Sequence, residues 1–116
     1  MTNQELNIIQ HYGIQPKFII LNNTVLGMVH QWQHAFYSDR YSHSEFGSSL
    51  PDFVKLSEAL GVKAAKVTDP ADMQTAVDEM LAYDGAYVLE VLIDKYERVT
   101  PMVPSGKANN EMEGLS

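Results

Sequence analysis

A chain of 116 residues with 45% hydrophobic and 20% charged residues has the composition of one ordinary globular domain. Its net charge of −7 and its lack of a basic patch argue against binding to nucleic-acid backbones. The absence of cysteine excludes disulfides, thiol catalysis and cysteine-based zinc sites, and no apolar run approaches the ~20 residues that span a bilayer. The N-terminus lacks the pattern of a secretory signal peptide, so a cytoplasmic protein is expected.

The first predicted element is a helix over residues 3–12. A capping box opens it, with Thr2 as the cap and Glu5 three residues later, and Gly13 ends it. The run Lys17–Leu21 is short, β-branched and apolar on both faces. Such a run predicts a central strand of a parallel sheet.

A second helix is predicted from Val25 to Tyr37, where apolar residues recur at helical spacing. The polar, Gly- and Ser-containing residues 38–50 predict a loop. Pro51 and Asp52 suit the first turn of a third helix, which Gly61 ends.

The C-terminal half continues with a predicted strand over residues 62–67 and a helix capped by Asp69-Pro70. The side chains of that helix predicted to face inward are Met73, Val77, Met80 and Leu81. A third strand is predicted over residues 86–93, and residues 95–116 read as an irregular polar tail.

The alternation of helices and strands predicts a three-layer α/β/α domain with a parallel sheet, over residues 1–94. The chain begins with a helix and has about three strands, all apolar in character. Strands of this kind have edges suited to pairing with further strands. We therefore expect the chain to be the second half of a larger domain.

Asn22 and Asn23 follow the first predicted strand directly. Ligands of parallel sheets bind beyond the carboxyl ends of the strands, and the next helix starts at the same place. Its N-terminus favours a phosphate, and an Asn carbonyl oxygen suits Mg²⁺. A magnesium diphosphate is one interpretation, and the alternative is that the two asparagines only turn the chain and cap the helix.

Four further residues carry chemistry that the sequence leaves open. His30 and His34 share one helix face, but no third metal ligand is evident, so histidines facing solvent or a partner are the favoured interpretation. Glu90 interrupts an apolar strand and needs a partner, for which a salt bridge or a place at the sheet edge is the simplest account. Asp94 stands at the strand's carboxyl end and is interpreted as a strand-terminating residue.

Two long segments resemble one enzyme family closely. They are NNTVLGMVHQWQHAFYSDRYS, from Asn22, and PDFVKLSEALGVKAAKV, from Pro51. The similarity is to the thiamine-diphosphate-binding domain of the acetolactate synthase (acetohydroxyacid synthase) catalytic large subunit. It continues in order through VLEVLID and the tail PMVPSGKANNEMEG, so it covers nearly the whole chain. The segments LGMVHQWQ and PDFVKLSEALGVK are characteristic of this enzyme rather than of thiamine-diphosphate enzymes in general.

The resemblance implies a set of site residues. Asn22 and Asn23 match the Asn-Asn end of the family's cofactor motif, in which the second Asn binds Mg²⁺ and the backbone carbonyl at Val25 is another ligand. Gly27 and Met28 match the segment beside the diphosphate and the cofactor. By the same resemblance, Trp32 lines the substrate and inhibitor pocket and favours 2-oxobutanoate as second substrate, and residues 39–41 lie near the entrance of the active site.

The implied cofactors are thiamine diphosphate and Mg²⁺, and the implied reaction is the carboligation of pyruvate with a second 2-oxo acid in branched-chain amino acid biosynthesis. The expected partners are the remainder of the enzyme or further copies of the chain, joined through the sheet edges. A cytoplasmic location is expected, or an organellar one in a eukaryote.

The chain departs from the family pattern in two respects, because neither the Gly-Asp-Gly motif nor the pyrimidine-binding domain is among its residues. The motif aspartate is the charged Mg²⁺ ligand of the family, so we expect weak cofactor binding and no activity from the chain alone. Two competing hypotheses remain. One is a non-catalytic interaction module, and the other is a fragment of a different thiamine-diphosphate carboligase or oxidase.

Overall fold

The computed structural model describes residues 3–112 and residue 114. The helices are α1 (Leu6–Tyr12), α2 (Gly27–Phe36), α3 (Phe53–Ala59) and α4 (Met73–Ala82). The strands are β1 (Lys17–Asn22), β2 (Lys63–Val67) and β3 (Tyr87–Leu92). Short 3₁₀ helices cover Asn3–Glu5, Gly47–Ser49 and Pro70–Asp72.

The three strands form a parallel sheet in the order β1-β3-β2. In the register of the sheet, Lys17 and Lys63 both lie beside Tyr87. The central strand β3 is buried over its whole length except for Leu92. Helices cover both faces, so the predicted three-layer α/β/α architecture is confirmed.

Each face of the sheet has its own apolar cluster. On one face, Ile9 of α1 packs with side chains of β2 and β3, together with Val54 of α3. On the other, Met80 of α4 packs with the fully buried Leu89. Because side chains alternate along a strand, the successive residues Val88 and Leu89 supply one cluster each.

The helix ends agree with the sequence signals that predicted them. Gly13, with φ of 62°, ends α1 in the left-handed conformation, and its N–H donates to the Ile9 carbonyl. Asp52 caps α3 by accepting from the Lys55 N–H, and Asp69 accepts from the Ala71 N–H. The cap predicted at Thr2 lies outside the described residues.

Two predictions about burial are wrong. The run Lys17–Leu21 was predicted to be a central strand, but β1 is an edge of the described sheet, with Leu21 66% exposed. Ile20 on one face of β1 packs against the cluster around Ile9, whereas Ile19 and Leu21 on the other face remain exposed, which is why an apolar pattern alone gave the wrong position. Leu81, predicted to face the core, is 63% exposed because α4 presents the adjacent Met80 to the sheet.

The remaining segments pack around α2. This helix starts at Gly27, two residues later than predicted, because Val25 instead forms an antiparallel bridge with Glu45 in the loop over residues 38–50. Residues 95–112 contain no helix or strand, and Val99 is hydrogen-bonded to Gln31 of α2. No helix in the described part of the chain is long and apolar enough to cross a membrane.

Candidate cofactor-binding site

The carboxyl end of β1 runs into two consecutive side-chain turns. Asn22 Oδ1 accepts from the Thr24 N–H at 2.9 Å, and Asn23 Oδ1 accepts from the Val25 N–H at 3.2 Å. Such Asx turns are the local hydrogen bonds that asparagine favours over helix or strand. The turn predicted for the asparagine pair is therefore present, whereas neither side chain caps α2.

Thr24, between the two turns, has φ of 62°. The left-handed region is strained for a β-branched residue, so the surroundings must hold it there. One restraint is the Thr24 carbonyl, which accepts from the Phe46 N–H at 3.0 Å. The chain between Asn22 and Val25 is thus bent sharply and held from more than one side.

Segment 44–46 fixes the direction of the Val25 carbonyl. It forms a short antiparallel ribbon with residues 24–26, through the Phe46–Thr24 bond and a bond of 2.8 Å from Leu26 N–H to the Ser44 carbonyl. Val25 is the non-hydrogen-bonded position of this ribbon, so its own N–H and C=O point away from segment 44–46. Within residues 3–112 and 114, no group donates to the Val25 carbonyl.

Gly27 leaves room for the Asn23 side chain. A Cβ atom at position 27 would lie 3.0 Å from Asn23 Nδ2, closer than ordinary side-chain contacts allow. No side chain caps the N-terminus of α2, because the residue at the cap position, Leu26, has an apolar side chain that cannot accept a hydrogen bond. The N-terminus of α2 therefore begins beside Asn23 with N–H groups free for an anion.

These features fit a magnesium diphosphate. The Asn23 amide oxygen and the Val25 carbonyl are neutral oxygen ligands of the kind Mg²⁺ accepts, and the N-terminus of α2 suits a phosphate. Neither the Asn23 amide nor the Val25 carbonyl carries a net charge. Within the described ranges, no set of three His, Asp or Glu side chains could hold a metal by itself. The site consequently suits a cation that brings its own phosphate ligands.

Asn22 faces a different direction from Asn23. Its Nδ2 donates to Glu90 Oε1 at 2.7 Å, and Lys66 Nζ donates to the same oxygen at 3.2 Å. Glu90 is only 3% exposed, and the salt bridge expected for it is present in the central strand rather than at an edge. The three side chains border a cleft of about 320 Å³ at the carboxyl end of the sheet, together with Thr24 and Asp52.

Met28 and Trp32 lie on the outer face of α2. They are 47% and 39% exposed, and the Trp32 ring packs edge-to-face on Phe36. Trp32 lines a groove of about 180 Å³ whose other walls include Phe36 and Met102. The structure thus brings Asn23, Val25 and Gly27 together, while the side chains of Met28 and Trp32 remain partly exposed on the surface of α2.

His30 is buried under aromatic rings rather than exposed to solvent. It is 3% exposed, stacks on Tyr41 with the ring centroids 4.0 Å apart, and its Nε2 lies 3.3 Å from Glu45. Lys95 donates to the same Glu45 oxygen at 2.9 Å, which lowers the pKa of the Glu45 carboxyl and raises the pKa of the Lys95 ammonium. This cluster ties the C-terminal segment to the ribbon beside Val25.

His34 belongs to a separate polar cluster. Arg98 can only donate, so His34 Nε2 accepts its hydrogen bond at 2.7 Å and the His34 Nδ1–H donates to Asp39 at 2.5 Å. Tyr41 also donates to Asp39, at 2.7 Å. These bonds lower the pKa of Asp39, the Tyr41 bond most, and the Asp39 carboxylate raises the pKa of Tyr41 to about 12. The two histidines have different partners and form no metal pair.

Asp94 ends its strand with a turn. Its carboxylate accepts from the Tyr96 N–H at 2.9 Å. The sequence did not indicate the partners of Asn22, the ribbon at segment 44–46 or the contact of Gln31 with Val99. The only sequence signal among them was one acidic residue, Glu90, in an apolar strand with Lys66 on another strand.

Comparison with known families gives a match over most of the chain. Residues 1–91 match the family described as "Thiamine pyrophosphate enzyme, C-terminal TPP binding domain". Thiamine pyrophosphate is another name for thiamine diphosphate. The matched segment contains both Asx turns, the whole of α2 and most of β3.

Several characterised relatives match nearly the full chain. The acetolactate synthase large subunit of Pyropia yezoensis is 43% identical over 116 residues, which are 100% of this chain and 20% of that protein. That of Lactococcus lactis is 44% identical over 117 residues, 99% of this chain and 20% of that protein. The mitochondrial acetolactate synthase of Schizosaccharomyces pombe is 44% identical over 108 residues, which are 93% of this chain and 16% of that protein. The chain spans about a fifth or less of the length of these relatives.

A solved structure shares the fold. The thiamine diphosphate-dependent 4-hydroxybenzoylformate decarboxylase of Rhodococcus jostii RHA1 superposes with a TM-score of 0.68 at 27% identity. The superposition covers 79% of this chain and 17% of that one.

Proposed function

Because the chain belongs to the thiamine pyrophosphate enzymes, through their C-terminal cofactor-binding domain, we propose that it forms part of the magnesium diphosphate site of an acetolactate synthase. The observation that carries the proposal is the arrangement at the end of β1. The Asn23 amide oxygen and the Val25 carbonyl, which accepts no hydrogen bond within the described residues, lie next to the N-terminus of α2. Gly27, which has no side chain, leaves space for Asn23.

The residues of this chain have separate tasks in the proposed site. Asn23 and Val25 would hold Mg²⁺ through neutral oxygens, and the first N–H groups of α2 would bind the diphosphate. The hydrogen bonds of the ribbon at segment 44–46 keep the Val25 carbonyl pointing away from that segment. Thiamine diphosphate, when bound, supplies the electron sink for decarboxylation of a 2-oxo acid. The protein's contribution is to bind and orient it.

The proposed substrates are pyruvate and a second 2-oxo acid, in branched-chain amino acid biosynthesis. Trp32 is the residue we assign to the wall of their pocket. Its side chain is 39% exposed and packs edge-to-face with Phe36, so part of the indole remains available for an apolar substrate chain. The exposed side chain of Met28, one turn earlier on α2, would extend that wall.

The proposed partner is the remainder of the enzyme, with a further copy of the chain as the second candidate. Mg²⁺ sites in proteins commonly include one or two carboxylates beside the phosphates, and Asn23 and Val25 supply none. The open edge and uncovered face of β1 favour the same conclusion, since Ile19 and Leu21 are 52% and 66% exposed. We propose that a further segment covers these residues and supplies a carboxylate to the site.

A chimera tests the proposal with the whole chain. The 116 residues replace the matching fifth of the Lactococcus lactis acetolactate synthase large subunit, which is 44% identical over this length. We expect the chimera to form acetolactate from pyruvate only when Mg²⁺ and thiamine diphosphate are present. Asn23→Ala should weaken Mg²⁺ activation by about tenfold or more, the effect typical for metal-site residues, and excess Mg²⁺ should restore part of it.

Asn3→Ala in the same chimera is the matched control, because Asn3 is exposed and lies in the short 3₁₀ helix before α1. Trp32→Leu should change the preference between pyruvate and 2-oxobutanoate as second substrate, with little change in Mg²⁺ activation. A folded chimera that forms no acetolactate would contradict the proposal. So would an Asn23→Ala variant with unchanged Mg²⁺ dependence. The unmodified 116-residue chain should give no turnover alone.

A further inference from the structure

Glu90 is a buried carboxylate whose position the proposed function does not explain. It is 3% exposed in the middle of the central strand, between the buried apolar residues Leu89 and Val91. Removing a carboxylate from water is costly unless hydrogen bonds and an opposite charge compensate for it. An apolar side chain would stabilise the core at this place without that cost, so the charge calls for a specific reason.

The two partners of Glu90 come from the two flanking strands. Lys66 of β2 lies directly beside Glu90 in the register and donates at 3.2 Å. From β1, Asn22 donates at 2.7 Å, although its neighbour in the register is Leu92. Among the described residues, no buried side-chain polar atom lacks a partner. The carboxylate is thus compensated from both sides.

The bond to Glu90 determines which end of the Asn22 amide faces the turn. An ionised carboxylate only accepts, so Asn22 must present its Nδ2 to Glu90. Its Oδ1 is then directed at the Thr24 N–H, which it accepts at 2.9 Å. If the amide were reversed, two acceptors would meet at Glu90 and two donors at Thr24.

This orientation supports the strained part of the site. Thr24 has φ of 62° and is followed by the Val25 N–H, which binds Asn23 Oδ1 at 3.2 Å. The ribbon holds the far side of the same turn through the Thr24 carbonyl. The link from Glu90 through Asn22 therefore connects the turn to the central strand, in addition to the backbone bond of 3.0 Å from the Ile93 N–H to the Asn22 carbonyl.

We propose that Glu90 is a positioning residue, which acts through the Asn22 amide to hold the turn over residues 22–25 and so aims Asn23 and the Val25 carbonyl. The functional part of this inference rests on the proposed magnesium diphosphate site. The hydrogen bonds that link Glu90, Asn22 and Thr24 all lie within this chain. A test without cofactor consequently separates a failure of this inference from a failure of the proposed function.

The test exchanges the donor and acceptor across the Asn22–Glu90 bond. Asn22→Asp places two carboxylates face to face, and Glu90→Gln removes the charge while retaining an acceptor. In the double variant, the amide introduced at position 90 can donate to the carboxylate introduced at position 22, which still accepts from Thr24. Lys66 retains a carboxylate nearby, and the net charge returns to that of the parent chain.

Amide hydrogen exchange of Thr24 and Val25, measured by NMR on the full 116-residue chain without ligand, is the readout. We expect Asn22→Asp to accelerate both exchanges by about fivefold or more, as for loss of one hydrogen bond, and the double variant to return them to within about twofold of the parent. The Leu89 amide in the same samples reports global opening. A purely structural role of Glu90 would change all three exchanges together and would show no rescue.

Unchanged Thr24 exchange in Asn22→Asp, or a double variant no better than Asn22→Asp alone, would overturn the proposal. If Asn22→Asp does not fold, Glu90→Gln and Lys66→Met replace it. Glu90→Gln should accelerate Thr24 exchange because the amide at position 90 no longer enforces one Asn22 orientation. Lys66→Met should leave it unchanged because Lys66 does not touch the turn, and the reverse order would also overturn the proposal. In the chimera, the double variant should restore the Mg²⁺ activation lost in Asn22→Asp.

Discussion

At the scale of single residues, Asp39 shows how one carboxylate oxygen can connect two parts of the chain. Its Oδ1 accepts from Tyr41 in the same loop and from His34 on α2. The hydrogen bond from Tyr41 favours the protonated phenol, which is why the pKa of Tyr41 rises from 10.0 to about 12. The stability that this bond contributes is therefore fully present below pH 10 and is lost as the pH rises through about 12.

Replacing Asp39 should return Tyr41 to ordinary behaviour. Asp39→Gly removes the carboxylate and tolerates the φ of 59° at this position. We expect the pKa of Tyr41 to fall from about 12 toward 10.0, as measured by the absorbance of the phenolate during a pH titration. Tyr41→Phe identifies the titration step, and Asp84→Gly is the control for loss of a loop carboxylate. A parent chain in which Tyr41 already titrates near 10.0 would contradict this expectation.

Local chemistry made the Asn22–Asn23 turn predictable, because each asparagine hydrogen-bonds a backbone N–H only two residues ahead. The division of labour between the two could not be predicted. The orientation of the Asn22 side chain depends on Glu90, which is 68 residues away in the chain. The strand register that brings the two residues together cannot be predicted from a local sequence pattern. The unusual φ of Thr24 is likewise imposed by tertiary contacts, against the preference of a β-branched residue.

At the scale of elements, α2 is positioned by what surrounds it. Its buried residue His30 stacks on Tyr41, and Gln31 makes paired bonds to the backbone of Val99, accepting from its N–H at 2.9 Å and donating to its carbonyl at 3.2 Å. Gln31 Nε2 also lies 2.9 Å from the sulfur of Met102. The Gln31 side chain thus helps to hold the C-terminal segment against the helix that carries Trp32.

Removing that side chain should loosen the C-terminal segment around Val99 and leave the sheet intact, because Arg98 still binds His34 and Lys95 still binds Glu45. Gln31→Ala should accelerate hydrogen exchange of the Val99 amide by about fivefold or more, since its acceptor is lost. The Leu89 amide should be unaffected. Gln74→Ala is the matched control, because the Gln74 side chain donates to Asp78 within the same helix. Equal exchange of Val99 in the parent and Gln31→Ala would show that the segment is held by other contacts.

Sequence periodicity predicted the existence and type of α2 but not its start. Val25 continues the apolar spacing of the helix, yet its backbone pairs with Glu45, and that long-range bridge delays the helix to Gly27. The buried place of His30 was also missed. A polar histidine followed by Gln31 resembles a surface position in sequence, but the rings of Tyr41 and Tyr96 pack against it in the structure.

At the scale of the whole molecule, stability rests on the two apolar clusters that β3 joins. Leu89 is fully buried, so Leu89→Ala should lower the free energy of unfolding by about 2–5 kcal/mol, measured by urea denaturation. Leu81→Ala is the matched control, since Leu81 is 63% exposed on α4 and should change stability by less than about 0.5 kcal/mol. Similar losses in the two variants would contradict the assignment of the core.

The architecture was predictable because helix and strand signals alternate regularly, and that alternation implies a parallel sheet covered on both faces. The order of strands was not, since β1 and β3 are comparably apolar in sequence. Only the structure distinguishes them, with Leu89 fully buried in β3 and Leu21 66% exposed in β1. Apolar character shows that a strand is suited to contact with other apolar surface, but it does not show which place the strand takes in the sheet.

The open edge of β1 in the described sheet also affects how strongly molecules of the polypeptide associate with one another in solution. A row of unpaired backbone groups beside the exposed Ile19 and Leu21 is a template for adding strands from other molecules. Mutual repulsion from the net charge of −7 keeps such molecules apart in dilute buffer. Salt shortens the range of that repulsion to about 10 Å at 0.1 M, so colloidal stability should be greatest at low ionic strength and alkaline pH.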